Sequence, residues 1–149
     1  MTKRRKIWIG VLLGVVLLWT AFIFSRSMQT GTESSAASGR LTAFLQWLLG
    51  GVPVSELLVR KLAHFVEYTI LTIPFAAALL LMRRRWLPFL SWGYAVLVAC
   101  ADEFVVQAMT VGRGPRFTDV LIDGAGAFVG MGIVILGFAL VGKSSLLKK

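Results

Sequence analysis

Ionisable side chains lie within or beside long apolar stretches of this sequence. Five of the seven acidic residues and the single histidine do so: His64, Glu67, Asp102, Glu103, Asp119 and Asp123. A histidine near carboxylates provides the groups for general base catalysis, and carboxylates bind divalent cations or accept hydrogen bonds from polar ligands. Because a charge at the centre of a bilayer costs about 3 kcal/mol, ionisable residues in apolar segments indicate a functional site.

The composition restricts the classes of protein that could carry such a site. Of the 149 residues, 57% are hydrophobic and 15% are charged, with a mean hydropathy of +0.79, which nearly excludes a water-soluble globule. One cysteine, Cys100, excludes an intramolecular disulfide, and one histidine with one cysteine excludes a zinc finger. The elements that position the polar residues must therefore be membrane helices.

Four apolar stretches are long enough to cross a bilayer core about 30 Å thick as helices. They are residues 7–24, 62–82, 86–109 and 120–141. We therefore predict an all-α integral membrane protein with four transmembrane helices, and a single membrane domain over residues 1–149. The first stretch follows four basic residues but has no small-x-small cleavage site after it, so we expect a retained helix and not a signal peptide.

The distribution of basic residues predicts the orientation. With the N-terminus in the cytoplasm, ten Lys and Arg residues lie inside, in clusters near residues 3–6, 83–85 and 143–149, and six lie outside. Both termini of a multi-pass plasma-membrane protein would then be cytoplasmic. This topology, together with anionic lipid, accounts for the formal charge of +9, so nucleic acid is not an expected partner.

Residues 25–61 form the only long loop of this topology, on the outer side. We expect its first half, residues 29–39, to be mobile because it is rich in Ser, Thr, Gly and Ala. Leu41, Phe44, Leu45 and Leu48 then follow helical spacing behind a possible Ser38 cap, which predicts a short interfacial helix. Ser55 marks the entry of the next helix.

Three predicted spans place their polar residues at one depth, within roughly 10 Å of the outer boundary. Span four turns its acids towards a packing face, because Asp119, Asp123, Gly126 and Gly130 share one side of the helix, and Gly126 with Gly130 forms a small-xxx-small seam. Gly10 and Gly14 offer a weaker seam in span one. The predicted binding set is Lys61, His64, Glu67, Tyr68, Asp102, Glu103, Gln107, Arg113, Arg116, Asp119 and Asp123.

The basic residues at this depth have two interpretations. Arg113 and Arg116, in the loop between spans three and four, are placed to reach back over the carboxylates. In a purely structural interpretation, these arginines with Arg60 and Lys61 neutralise the acids and hold four helices together. We favour a functional pocket, because the polar groups gather on one side and leave the inner half of the spans almost purely apolar.

Several stretches resemble the VanZ-like family. Lys61-Leu-Ala-His64-Phe-Val-Glu67-Tyr68 is similar to a family pattern of Lys-x-x-His-Phe-x-Glu-Tyr, and the segments 24–27, 102–107, 112–113 and 119–130 resemble further family features in the same order. The resemblance implies a small integral membrane protein. It also implies a link to teicoplanin, a lipid-bearing glycopeptide antibiotic, since the family's namesake is associated with resistance to it in a Gram-positive setting.

Three hypotheses of function follow. The first is a non-enzymatic protein that binds a lipid-linked cell-wall precursor or a lipoglycopeptide, with Arg113 and Arg116 holding phosphate or carboxylate. The second is an intramembrane enzyme on a lipid-linked substrate, with His64 as general base, Glu67 orienting it and Glu103 a further catalytic candidate. In it, a divalent metal would bind among Asp102, Glu103, Asp119 and Asp123. The third is a structural bundle or transporter fragment. No cofactor is assigned, and membrane lipid is the expected partner.

Overall fold

The computed structural model describes residues 1–82 and 88–146. Within these residues all the regular secondary structure is helical. The five α-helices are α1 (Lys3–Ser27), α2 (Gly31–Leu48), α3 (Glu56–Leu80), α4 (Pro88–Ala101) and α5 (Phe117–Leu146). A π-helical turn at Asp102–Val106 and a 3-10 turn at Gln107–Met109 continue α4. The all-α prediction is therefore correct.

Four helical segments are long and apolar enough to cross a membrane, as predicted: Lys3–Ser27, Glu56–Leu80, Pro88–Met109 and Phe117–Val141. The second segment begins earlier than the predicted residue 62, because Glu56 and the following turn extend the helix beyond the apolar stretch. Trp86, at which we expected the third span to begin, lies outside the described residues. The basic residues at 83–85 and at 148–149, which support the orientation, also lie outside them.

Helix α3 lies at the centre of the bundle and contacts α1, α4 and α5. Its contact with α5 is made at the two glycines of the predicted seam. A Cβ atom at Gly126 would overlap the carbonyl oxygen of Phe65, and one at Gly130 would overlap that of Thr69. The Thr69 hydroxyl also donates a hydrogen bond to the Gly126 carbonyl at 2.9 Å. The absence of a side chain at these glycines therefore sets how closely the helices approach.

The weaker seam that we predicted in α1 does not form within the described part of the chain. A Cβ atom at Gly10 or Gly14 would have no neighbour within 4 Å. Instead, α1 contacts the bundle through other residues, and the indole N–H of Trp19 donates to the Glu67 carbonyl of α3 at 2.9 Å. Small residues at helical spacing predicted a close contact in both helices, and the structure has it at Gly126 and Gly130 of α5 but not at Gly10 and Gly14 of α1.

The helix directions bring all the predicted polar residues to one end of the bundle. Met1, Leu80 and Phe138 line a common surface depression, so the start of α1, the end of α3 and the late part of α5 share one end. At the other end, the backbone N–H of Gly31 donates to the Val111 carbonyl at 3.0 Å. We call this second end, built from residues 26–67 and 102–123, the polar end.

Helix α2 is longer than we expected, and our prediction that residues 29–39 are mobile is wrong. The Thr30 side chain accepts from the Glu33 backbone N–H, and the Glu33 carboxylate accepts from the Thr30 backbone N–H. This capping box starts a helix at Gly31. Hydrogen bonds to the Glu33 carboxylate from the Thr30 hydroxyl, at 2.8 Å, and from the Thr30 backbone N–H hold the pKa of Glu33 below its usual range. Ser38 is not a cap, because its hydroxyl donates within the helix to the Ser34 carbonyl.

One face of α2 is polar and turned towards the bundle, and the other is apolar. Ser34 and Thr42 are buried, whereas Leu41, Phe44, Trp47 and Leu48 are exposed. This amphipathic pattern is the one expected of a helix at a membrane interface. The start of α2 is held against the loop of residues 110–116, where Gly112 has a φ of +76° and a Cβ atom at Gly31 would overlap the Gly112 carbonyl oxygen. The close backbone contact requires glycine at position 31.

Candidate functional site at the polar end

His64 of α3 and Asp123 of α5 meet in the interior of the polar end. The Nδ1 atom of His64 lies 3.5 Å from Oδ1 of Asp123, which is an ion-pair contact longer than a good hydrogen bond. Asp123 is 1% exposed, and within the described residues neither of its carboxylate oxygens has a hydrogen-bond partner. Tyr68 is fully buried one turn below His64, and its hydroxyl likewise has no partner there.

The end of α4 places two buried carboxylates next to each other. Asp102 and Glu103 begin the π-helical turn, and the Gln107 amide nitrogen donates to Oδ2 of Asp102 at 3.0 Å and to Oε2 of Glu103 at 2.5 Å. A π-helix brings residues five apart onto one face, which is why Gln107 reaches Asp102 as well as Glu103, four residues before it. All three side chains are buried, at 2% exposure or less. One amide group therefore connects the two acids.

The loop of residues 110–116 covers these carboxylates. The Arg113 guanidinium donates to the Gln107 side-chain oxygen at 3.2 Å, and the Arg116 backbone N–H donates to Oε1 of Glu103 at 2.5 Å. Thr110 donates to the Val106 carbonyl at 2.7 Å. The loop therefore reaches back as predicted, but Arg113 does so through Gln107 and Arg116 through its backbone.

The arginines do not neutralise the acids by direct pairing. Among the side chains that the structure describes, those of residues 1–82 and 88–141, one close contact joins a basic and an acidic residue, and it is that of His64 with Asp123. Burial lowers the pKa of the Arg113 guanidinium, and the positive charge of Arg60 acts in the same direction, although Asp102 and Glu103 oppose them. The structural interpretation, in which basic residues lock the helices by salt bridges, finds no support in the described residues.

A cavity of about 70 Å³ opens between α3, the loop and the start of α5. We call it the loop cavity. Its ionisable lining residues are Arg60, Lys61, His64, Arg113, Arg116 and Asp119, and Gly112, Gly114, Leu57 and Ile122 complete the wall. Since roughly 10–15 Å³ of such volume admits one water molecule, the loop cavity has room for a small ligand group.

The structure divides the predicted site residues into two layers. Tyr68, Asp102, Glu103, Gln107 and Asp123 form a buried layer. Lys61, Arg113, Arg116 and Asp119 line the loop cavity above it, and His64 belongs to the walls of the cavity while contacting Asp123. Glu67 lies apart from the loop cavity, in a neighbouring cavity that also includes His64 and Arg113.

Sequence reasoning did not place two arginines in the binding set. Arg60 lines both cavities and Arg26 lines the second. Arg60 directly precedes Lys61, and Arg26 lies in the segment 24–27 that resembles a family feature, so both had a signal in the sequence. Their spacing alone did not show which of the basic residues lie over the acids.

The candidate metal ligands do not gather into one set. Within the described residues, no three His, Cys, Asp or Glu side chains are arranged to hold a metal ion together. Asp102 and Glu103 are connected by Gln107, Asp123 faces His64, and Asp119 lines the loop cavity. The four acids therefore do not form one ligand set in this arrangement.

Comparison with known families decides what kind of protein carries this site. The model of the VanZ/LLP1 family matches residues 12–139 of the 149, which includes every predicted site residue. The chain belongs to the VanZ/LLP1 family. Comparisons with curated proteins and with solved structures give no match. In this member of the VanZ/LLP1 family, the matched region covers the first apolar helix from residue 12 onward, nearly all of the other three, and the loop that covers the acids.

Proposed function

We propose that the chain binds an anionic, phosphate-bearing lipid headgroup in the loop cavity. The observation that carries this proposal is the charge of the lining, in which Arg60, Lys61, Arg113 and Arg116 accompany a single carboxylate, Asp119. Within the described residues, none of these four cations has an ion-pair partner. Guanidinium groups form strong, bidentate hydrogen bonds to phosphate oxygens, so a phosphate is the ligand group that this lining favours.

The proposed orientation places the polar end outside the plasma membrane, with both termini in the cytoplasm. The predicted excess of basic residues at the opposite side supports it. In this orientation the exposed apolar face of α2, with Phe44 and Trp47, lies in the outer interface. A lipid-linked cell-wall precursor or a lipoglycopeptide antibiotic in the outer leaflet would reach the loop cavity from there.

Membership of the VanZ/LLP1 family supports a role in tolerance to lipid-bearing glycopeptides. We propose that binding at the loop cavity alters the access of such antibiotics to the cell surface. Expression in a sensitive Gram-positive host is then expected to raise the inhibitory concentration of teicoplanin more than that of vancomycin, because teicoplanin carries the acyl chain. Equal tolerance to both drugs, or none to either, would contradict this role.

Variants connect the resistance to the site. Arg113→Gln is expected to abolish the effect on teicoplanin, since it keeps the approximate size and removes a cation from the wall of both cavities. Arg40→Gln is the matched control, because Arg40 is exposed on α2 and lines neither cavity. The amount of each variant in the membrane is measured by immunoblot. An Arg113→Gln variant that accumulates normally and still protects the host would overturn the role of the cavities.

Direct binding tests the ligand chemistry. Purified protein in uncharged lipid nanodiscs is titrated with farnesyl phosphate, a monophosphate with an apolar chain. We expect saturable binding that weakens at least tenfold in Arg113→Gln and is retained in Arg40→Gln. Binding of equal strength in both variants, or none in the wild type, would contradict the proposal.

The contact between His64 and Asp123 favours an intramembrane enzyme as a second candidate. His64 lines both cavities, where its imidazole, beside the buried carboxylate of Asp123, could accept a proton from an attacking water. Glu67, which we expected to orient His64, has no hydrogen bond to it in the described structure. Release of inorganic phosphate from bound farnesyl phosphate, lost in His64→Gln, would support an enzyme, and stable recovery of the intact lipid would support binding alone.

A further inference from the structure

A second cavity adjoins the loop cavity across two shared arginines. It has a volume of about 60 Å³ and lies between the end of α1, the inner face of α2 and α3. Arg60, His64 and Arg113 line both cavities, and we call these three shared side chains the partition. We call the second cavity the serine cavity, after Ser27, Ser34 and Ser38 in its wall.

Small side chains on α2 keep the serine cavity open. Ser34 and Ser38 are four residues apart and face α3, and the Ser38 hydroxyl donates to the Ser34 carbonyl at 3.0 Å. The Ser34 hydroxyl makes no hydrogen bond within the described residues and is therefore available as a donor. A larger side chain at either position would occupy the space between α2 and the partition.

The serine cavity, like the loop cavity, carries more positive than negative charge. Arg26, Arg60 and Arg113 face it against one carboxylate, Glu67. The positive charge of Arg60 contributes to the lowered pKa of Arg113, so the two guanidinium groups of the partition repel each other. An anion in contact with both would relieve this repulsion by accepting hydrogen bonds from the two guanidinium groups.

We infer that the ligand carries two adjacent phosphoryl groups, one in the loop cavity and one in the serine cavity, with Arg60 and Arg113 donating to both. The inference rests on the proposed phosphate binding and specifies its ligand as a diphosphate. A monophosphate occupies one cavity and leaves Arg26 or the pair Lys61 and Arg116 unused. A lipid diphosphate and free inorganic pyrophosphate share this chemistry, and the experiment separates them.

The test compares the binding of three probes to the wild-type protein in uncharged nanodiscs. Farnesyl diphosphate is expected to bind at least tenfold more tightly than farnesyl phosphate. Inorganic pyrophosphate is added as a competitor, and it is expected to displace the lipid only at concentrations at least tenfold higher than those of farnesyl diphosphate itself. Displacement by pyrophosphate at equal concentration would overturn a lipid ligand and leave a soluble diphosphate as the ligand.

Two variants assign the second phosphoryl group to the serine cavity. Arg26→Gln removes a cation that lines this cavity and not the loop cavity, and Ser38→Leu fills its space. Both are expected to lower the ratio of diphosphate to monophosphate affinity towards one, whereas Arg40→Gln is expected to keep the wild-type ratio. Because the ratio is measured within each variant, a partial loss of folded protein does not change it.

The outcomes distinguish this inference from the proposed function. If both farnesyl ligands bind equally, or if Arg26→Gln and Ser38→Leu keep the wild-type ratio, the two-cavity diphosphate site is wrong while phosphate binding stands. If neither ligand binds the wild type, the proposed function fails as well. A higher affinity for diphosphate that disappears in both variants supports the inference.

Discussion

The imidazole of His64 and the carboxylate of Asp123 face each other across the interface of α3 and α5, with Nδ1 and Oδ1 3.5 Å apart. The contact lies about one turn from the Gly126 seam, where the two helix backbones approach most closely. Helix packing thus brings these two groups together. It also buries Asp123 almost completely, so its charge depends on the histidine for compensation.

This relationship predicts strong coupling between the two residues. Asp123→Asn and His64→Gln each leave the partner side chain without its counter-charge. Each is therefore expected to destabilise the protein by about 3 kcal/mol. The double variant is expected to recover at least 1 kcal/mol of the summed loss, because neither charge then remains. Thermal unfolding in detergent, followed by circular dichroism, measures the cycle. Strictly additive losses would show that the two side chains do not compensate each other.

Gln107 is predicted to hold the carboxylates of Asp102 and Glu103 together. Gln107→Leu removes the amide that donates to both and the oxygen that accepts from Arg113. Because the buried carboxylates then lose their hydrogen bonds, we expect the free energy of unfolding to fall by about 1–3 kcal/mol. Met109→Leu, at an exposed position two residues away, is the control and is expected to change stability by less than about 0.5 kcal/mol. A similar Tm for both variants would disprove the bridging role.

Parts of this site follow from the sequence and parts do not. The common depth of His64, Glu103 and Asp123 follows from span lengths and charge placement, since helix rise fixes depth. The link from Gln107 to Asp102 does not, because it depends on a π-helical turn that spacing rules for α-helices do not predict. The positions of Arg26 and Arg60 relative to the loop depend on tertiary packing, so composition could not assign them to a cavity.

The sequence at the start of α2 contains a helix-capping pattern that the composition of the segment does not reveal. Residues 29–39 are rich in small and polar residues, which favours a mobile loop. The pair Thr30 and Glu33 has the three-residue spacing of a capping box, and this local hydrogen bonding begins the helix. Contact with the bundle through Ser34 and Thr42 then stabilises it. The capping pattern was the better guide to the boundary.

The glycine seam predicts different effects for different glycines of α5. Gly126→Ala and Gly130→Ala place a Cβ atom on the backbone of α3, so we expect each to destabilise by about 1–3 kcal/mol. Gly132→Ala has open space at its Cβ position and gains helix propensity, so it is expected to be neutral or stabilising. Thermal unfolding of the three variants in the same detergent compares them. Equal Tm values would show that α3 and α5 do not approach as closely as described.

The contact between Gly31 and Gly112 predicts that α2 and the covering loop depend on each other. Gly31→Ala would place a Cβ atom on the Gly112 carbonyl, whereas Gly39→Ala on the same helix meets no atom within 4 Å. We expect faster amide hydrogen exchange in residues 30–40 and 110–116 for Gly31→Ala, by at least tenfold, and unchanged exchange in both segments for Gly39→Ala. Faster exchange in α2 alone would indicate that the loop holds its position without α2.

The orientation of the polar end has a direct chemical test. In a Cys100→Ala background, a single cysteine is placed at exposed Ser35 of α2 or at exposed Thr2 before α1, and intact cells are treated with a membrane-impermeant thiol reagent. Because the N-terminus is expected in the cytoplasm, Ser35→Cys should react and Thr2→Cys should react only after the cells are opened. Cells producing the Cys100→Ala protein without an added cysteine give the background. Labelling of Thr2→Cys alone in intact cells would place the polar end, with Arg113 and the loop cavity, in the cytoplasm, and no ligand of the outer leaflet could then reach it.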